Sequence, residues 1–228
     1  MALTPNLAFL RFPVGNVYLW HDDDGLTLID CGVPGSAPSI EAAIRSLGRQ
    51  PSELRHLVLT HFHADHVGSA AEVAGWGDVQ VCAHAADASF IEGSDIGSEA
   101  TLLDWEVPIR DSLPPIETPA PVRVNRRLAD GDVLDFAGGA RAVAVPGHTP
   151  GSVAIHLPAV GALFTGDTIA RTAGGRIILG VFNVDREQAV ASMRKQAALD
   201  VEIVGFGHGE PVTADAAAQL RVAASTLE

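Results

Sequence analysis

His61-Phe62-His63-Ala64-Asp65-His66 places three imidazoles and one carboxylate within six residues. The run follows His56–Thr60 (HLVLT), which reads as a short buried strand, and precedes Val67–Val73, which reads as a helix. A strand end that opens onto a helix start points side chains out of the packed layer, where a ligand can sit. At this chain's own His and Asp frequencies the pattern arises by chance in about one sequence in a thousand. Imidazole and carboxylate donors suit Zn²⁺, and iron or manganese less selectively. One ion that keeps an open position does not use four donors from a single tight loop. Two divalent ions sharing it is the economical reading.

Further candidate ligands stand downstream, each after a strand and each flanked by glycine. Pro146-Gly147-His148-Thr149-Pro150-Gly151 follows the strand Ala140–Val145. Thr165-Gly166-Asp167-Thr168 closes the strand Ala162–Thr165, and Gly205-Phe206-Gly207-His208-Gly209 closes the strand Val201–Phe206. Glycine lets one backbone approach another closely.

Around these loops the chain reads as strands then helix, twice over. The first round has strands at Leu7–Phe12, Asn16–His21 and Leu26–Asp30, with a turn at Asp22–Gly25, and a helix at Ser39–Leu47. Gly75–Ala83 gives a turn and a strand. The second round has strands at Val122–Arg126, Val133–Phe136, Ala140–Val145, Ser152–Leu157 and Ala162–Thr165. Asp185 then caps a helix to Leu199, and Thr213 caps a last helix over Ala214–Leu227. Two such halves predict an α/β fold packed sheet on sheet with helices outside. With no linker, low-complexity tract or repeat, residues 1–228 read as one domain. Two stretches stay irregular. Ser89–Pro121 holds Trp105 and several prolines, with a helix expected near Glu99–Leu103; Ile169–Asn183 is the other.

Composition narrows the function classes. Apolar residues make up 47% of the chain, which excludes a largely disordered protein. The net charge of −13 leaves no basic footprint for nucleic acid and repels an anionic membrane. No apolar run is long enough to span a bilayer. Two cysteines, Cys31 and Cys82, make no disulfide framework and read as buried thiols in a reducing compartment. With no basic leader at the start, the expected location is the cytoplasm.

HxHxDH, then GHTPGS, then TGDT, then FGHG resembles the metallo-β-lactamase-fold hydrolase superfamily, over about Asn16 to Glu210. Leu28-Ile29-Asp30-Cys31-Gly32 is similar to that family's LIDxG segment. The resemblance implies a four-layer αβ/βα sandwich, two mixed sheets flanked by helices, with a two-metal site at one edge. It implies that His61, His63 and His148 hold one ion, that Asp65, His66 and His208 hold the second, and that Asp167 bridges both. Zinc is the expected metal, with iron or manganese as the other choices. The nucleophile would be a hydroxide held between the ions, with Asp65 orienting it for attack on a carbonyl. Asp30 would accept a hydrogen bond from a ligand imidazole and fix its tautomer.

Within the family, an aspartate at position 167 resembles the branch of glyoxalase II and the lactonases. That implies a small-molecule substrate with an ester-like bond, a thioester or lactone. A mono-iron persulfide dioxygenase and a side activity on β-lactams stay open as alternatives. Arg176 falls on a basic position that grips glutathione in glyoxalase II, while Ile178 stands where that family has tyrosine. Arg176 and Arg171 are candidate substrate contacts, and Trp105, Ile178 and Phe182 are candidates to line an apolar acyl pocket. Lid packing or a homodimer contact is the other use for those apolar side chains.

Overall fold

Alternation along the third strand sends its side chains to two different cores. Val17 and Leu19 pack toward helices, whereas Tyr18 and Trp20 pack toward a second sheet. The strand is therefore buried on both faces, and the sequence reads as a nearly continuous apolar run. The computed structural model describes residues 1–227.

The first sheet takes seven strands in sequence order: β1 (Ala2–Thr4), β2 (Leu7–Arg11), β3 (Asn16–Asp22), β4 (Gly25–Ile29), β5 (Leu54–Val58), β6 (Gln80–His84) and β7 (Arg126–Leu128). β1 to β4 pair antiparallel, and β4 to β7 pair parallel. Helices α1 (Ala37–Ser46), α2 (Ala64–Val67) and α3 (Ala70–Ala74) cover its outer face. Short helices α4 (Ala88–Ile91) and α5 (Val107–Ser112) follow β6.

The second sheet has β8 (Val133–Leu134), β9 (Ala140–Ala144), β10 (Val153–Leu157), β11 (Ala162–Phe164) and β14 (Ile203–Gly205), in the order β14-β11-β10-β9-β8. β12 (Ile169–Arg171) and β13 (Ile177–Leu179) form a separate hairpin. Helices α6 (Arg186–Ala197) and α7 (Ala216–Ser225) cover the outer face. Phe9, Tyr18, Ile155 and Phe164 fill the space between the sheets. Three apolar layers thus separate four structural ones, the sandwich expected from the sequence. Among the described residues no helix is long and apolar enough to cross a membrane.

Several elements depart from expectation. Glu99–Leu103 is not helical; the helices of that stretch are α4 and α5, the latter opened by Pro108 in its first turn. The helix expected over Val67–Val73 breaks at Gly68-Ser69. Gly68 presses on Val33 and Pro34, where a Cβ would clash. The Ser69 hydroxyl donates to Val33 O and accepts from the Ser36 and Ala37 N–H groups at the start of α1. Strand Val122–Arg126 begins later, as β7, and Ile169–Asn183 holds the β12–β13 hairpin. Asp185 caps α6 by accepting the Gln188 N–H at 3.0 Å, as expected. Asp215, not Thr213, occupies the N-cap of α7, in a left-handed conformation.

Candidate metal centre

Loops leaving β4, β5, β9, β11 and β14 converge at one edge of the sandwich. His61 and His66 are buried, His148 is buried, and His63, Asp65, Asp167 and His208 are partly exposed. His61, His63 and His148 bring their donor atoms together in one group, and Asp65, His66, Asp167 and His208 in a second; within each group the donor atoms lie within 4.8 Å of one another. Asp167 joins the two. Its Oδ1 is 3.2 Å from His66 Nε2; its Oδ2 is 3.1 Å from His208, 3.7 Å from His148 and 3.9 Å from His61. Asp65 Oδ2 lies 3.1 Å from His208 Nε2. Gly207 makes room for this carboxylate, since a Cβ there would sit 1.9 Å from Asp167 Oδ1.

Each buried imidazole is turned by a partner behind it. Asp30 Oδ2 accepts from His66 Nδ1 at 2.8 Å and from the Thr60 hydroxyl at 2.8 Å. With its own proton committed to Asp30, Thr60 Oγ1 accepts from His61 Nδ1 at 3.0 Å. Asp30 also accepts the Thr60 N–H, and its φ of 60° is a left-handed conformation that costs a non-glycine residue about 1–2 kcal/mol. His148 Nδ1 donates to Val181 O at 3.1 Å. These contacts turn Nε2 of His61, His66 and His148 into the site.

The donor set fits metal ions because its own needs are unmet. His61 Nε2, His66 Nε2 and Asp167 Oδ1 are buried and complete no aligned hydrogen bond. Burial drives His61 and His148 below the ordinary imidazole value, and His63 down to about 3, so all three favour the neutral form that ligates. On the other side, the Asp167 charge raises His208 to about 10. Burial lowers His66, yet Asp167, Asp65 and Asp30 together hold it well above its usual value. Burial raises Asp167 too, but His208 and His66 hold its carboxyl well below the usual range. Protons therefore sit on the carboxylate-rich half, where cations would take their place.

Three supporting residues escaped the sequence reading. Asp87 stands at the N-cap of α4 but does not cap it. Its fully buried carboxylate accepts from Gly151 N–H at 2.6 Å, the Thr149 hydroxyl at 2.7 Å and Phe62 N–H at 3.2 Å. It therefore ties the loop of His61 and His63 to the loop of His148. Burial pushes it up to about 6, against those three hydrogen bonds. Gly151 has no alternative here, because a Cβ would meet Asp87 at 2.5 Å. Asn16 donates to Phe206 O and Gly209 O, and Tyr18 donates to Phe206 O, so β3 holds the His208 loop from beneath. An N-cap aspartate and two inward strand residues read as ordinary structure; no local signal marks them.

A cleft of about 830 Å³ opens over Asp65, Asp167 and His208. Phe182 lines it, with φ of 59°. The other proposed substrate contacts lie elsewhere. Trp105 is 53% exposed and outside the lining. Arg171 donates to the carbonyls of Gly175, Glu210 and Pro211, pinning the β12–β13 hairpin. Arg176 and Ile178 line a different groove, between β13 and α7. Cys31 and Cys82 are buried.

Residues 10–208 match the family model of the metallo-beta-lactamase superfamily. A hydroxyacylglutathione hydrolase of Rhodobacter capsulatus is 30% identical over 164 residues, 72% of this chain and 51% of that protein. The probable metallo-hydrolase YflN of Bacillus subtilis (strain 168) is 27% identical over 222 residues, 90% of this chain and 84% of that protein. This chain spans between half and two thirds of the hydroxyacylglutathione hydrolases it matches. Among solved structures, a metallo-beta-lactamase family protein from Thermus thermophilus superposes with a TM-score of 0.72 at 21% identity, covering 99% of this chain and 79% of that one. The Rm3 metallo-beta-lactamase superposes with a TM-score of 0.75 at 21% identity, covering 98% and 90%. At that identity these two likenesses concern the fold.

Proposed function

The chain belongs to the metallo-β-lactamase superfamily, and from that premise we propose that it is a metal-dependent hydrolase of an ester-like bond, a thioester or a lactone. The observation that carries this reading is Asp167, a carboxylate shared between two clusters of donors. His61, His63 and His148 would hold one divalent cation and Asp65, His66 and His208 the other, with zinc the best match to the donors and iron or manganese next. Bound there, such cations supply Lewis acidity toward a carbonyl oxygen and a water nucleophile usable near neutral pH.

The chain's own residues supply position. Asp65 lines the cleft, and against its burial the neighbouring His66 and His208 hold its carboxyl below the usual range. An ionised Oδ2 there orients an attacking water by accepting its hydrogen bond. Asp30, through His66 and through Thr60 to His61, keeps the imidazoles from turning, so the donors need not reorganise as the reaction proceeds. Relatives named hydroxyacylglutathione hydrolase favour a thioester. Arg176, outside the cleft, argues against a grip on glutathione like theirs.

Metal analysis of tag-free protein, coupled to a panel of thioesters and lactones, tests this. About two divalent ions per chain and turnover on the panel are expected. Asp167→Ala should lose at least one ion and on the order of a thousandfold in kcat/KM. One iron per chain, with oxygen uptake on a persulfide and no hydrolysis, would overturn the reading.

A further inference from the structure

We infer that the cleft selects an apolar acyl chain on the substrate carbonyl, seated beneath α5, with Ile109, Leu113 and Phe182 as the residues that set this specificity. The inference rests on the hydrolase reading above and adds the substrate class. The cleft over Asp65 and Asp167 is walled by Phe62, Leu102, Ile109, Leu113, Ile116 and Phe182. At about 830 Å³ it has the size of a small-molecule site. Ile109, Leu113 and Ile116 are 40%, 52% and 38% exposed, although each borders the cavity. Ile109 on α5 and Leu113, the residue that ends it, stand four residues apart, and both line the cavity. Apolar side chains left open to water around the mouth of a cavity mark a surface that a ligand covers.

Few charged side chains interrupt the apolar wall. Two ionisable side chains of the α5 segment face the cleft, Glu99 and Arg110. Arg110 donates through Nε and Nη2 to Asp111, at 2.9 and 2.7 Å, in an exposed pair. Below it lie the carboxylates of Asp65 and Asp167. With both carboxylates assigned above as cation ligands, the apolar wall under α5 is the part of the cleft left to choose the acyl group.

The chamber is built before any substrate arrives. Glu106 is 2% exposed, and its carboxylate accepts Leu103 N–H at 2.9 Å and Phe182 N–H at 3.1 Å. Thr101 N–H donates to Asn183 O at 2.9 Å. The roof and the left-handed Phe182 therefore hold each other in place. An aromatic side chain in that conformation is strained and persists only where its surroundings fix it.

The test uses two independent readouts. The first is binding of octanamide, which offers the chain without a cleavable ester, against acetamide, followed by calorimetry on the metal-loaded protein. The second is the ratio of kcat/KM for p-nitrophenyl octanoate to that for p-nitrophenyl acetate. Octanamide should bind at least about tenfold more tightly than acetamide, and the ester ratio should exceed about tenfold, since each buried methylene contributes. Ile109→Ser combined with Leu113→Ser should collapse both ratios toward one, while Val222→Ser, on α7, should leave both unchanged. Octanamide binding without hydrolysis of any ester would sink the hydrolase reading and leave the acyl site standing. Hydrolysis with octanoyl and acetyl esters cleaved alike, and no octanamide binding, would overturn the acyl site and leave the hydrolase reading intact.

Discussion

The metal centre and the α5 roof over it are built in opposite ways. At the centre, His61, His66 and His148 are buried, each imidazole has a partner behind it, and two buried carboxylates, Asp30 and Asp87, bind the loops to one another. The roof has no buried residue in α5 and is fastened at Glu106 and Thr101. Groups that perform chemistry must hold their geometry to a fraction of an ångström, which favours doubly satisfied, water-free supports. Groups that choose a substrate gain more from adaptable, exposed surface. Damage at a support of the centre and damage at a fastener of the roof should therefore differ in size and in kind.

Asp87 is the sharper instrument for the first half. Asp87→Ala strips an acceptor from Gly151 N–H, Phe62 N–H and the Thr149 hydroxyl. A buried donor left unmet costs about 1–3 kcal/mol, so a loss of about 3 kcal/mol or more in unfolding free energy is expected. Metal affinity should weaken by about tenfold or more, because the His61–His63 and His148 loops lose their tie. The pH dependence has a defined sign. Burial raises the folded-state value of Asp87 to about 6, above the unfolded carboxylate range. The folded protein then holds this proton where the unfolded chain releases it. The stability this group contributes is full below about pH 4 and is lost as pH rises through about 6, by on the order of 2 kcal/mol. Urea unfolding of the parent and of Asp87→Asn should therefore converge in that direction across that window. A constant difference from pH 4 to 7 would mean that Asp87 titrates as in the unfolded chain.

What was legible in the sequence follows the same division. The ligands could be read because their signal is local: four donors in Phe62's immediate neighbourhood, and single donors set among glycines at strand ends. Asp30 was legible through the resemblance of Leu28–Gly32 to the family's LIDxG segment. Asp87, Asn16 and Tyr18 act on loops 25 to 193 residues away, and nothing in their own neighbourhoods records that. The roof escaped for a different reason. Its prolines break any periodicity, its helix α5 is only six residues long with Pro108 in the first turn, and its fixed points are backbone groups of residues 182 and 183. Arg176 was singled out by resemblance to a glutathione-gripping stretch, which carries no record of the hairpin that holds it outside the cleft. Arg171 pairs with Ile177, so the turn at Gly174-Gly175 forms a tip and turns Arg176 toward α7.

Glu106→Gln tests the second half at smaller cost. The amide keeps one acceptor but turns a donor toward Leu103 N–H or Phe182 N–H. About 1–2 kcal/mol should be lost. Hydrogen exchange should quicken for amides in residues 99–113 and at Phe182, while Leu59, His66 and Val67 stay protected. Faster exchange in both sets would show that roof and centre open as one unit and would erase the contrast.

Arg176→Ala carries the smallest expected effect and most directly locates the substrate. The backbone N–H of Arg176 donates to Thr172 Oγ1, and alanine preserves that contact. The guanidinium faces the groove beside Gln219 and Val222, not the cleft above Asp65. Stability should shift by no more than about 0.5 kcal/mol, as for other exposed substitutions. On any ester or thioester the protein cleaves, kcat/KM should change by less than about twofold, well below the tenfold that a lost charged contact of about 1.4 kcal/mol would produce. A tenfold fall confined to substrates bearing a carboxylate would instead bring the β12–β13 hairpin over the cleft during turnover. The basic residue that the family resemblance singled out would then reach the substrate by motion of that hairpin, and the apolar chamber under α5 would no longer be the whole of the binding site.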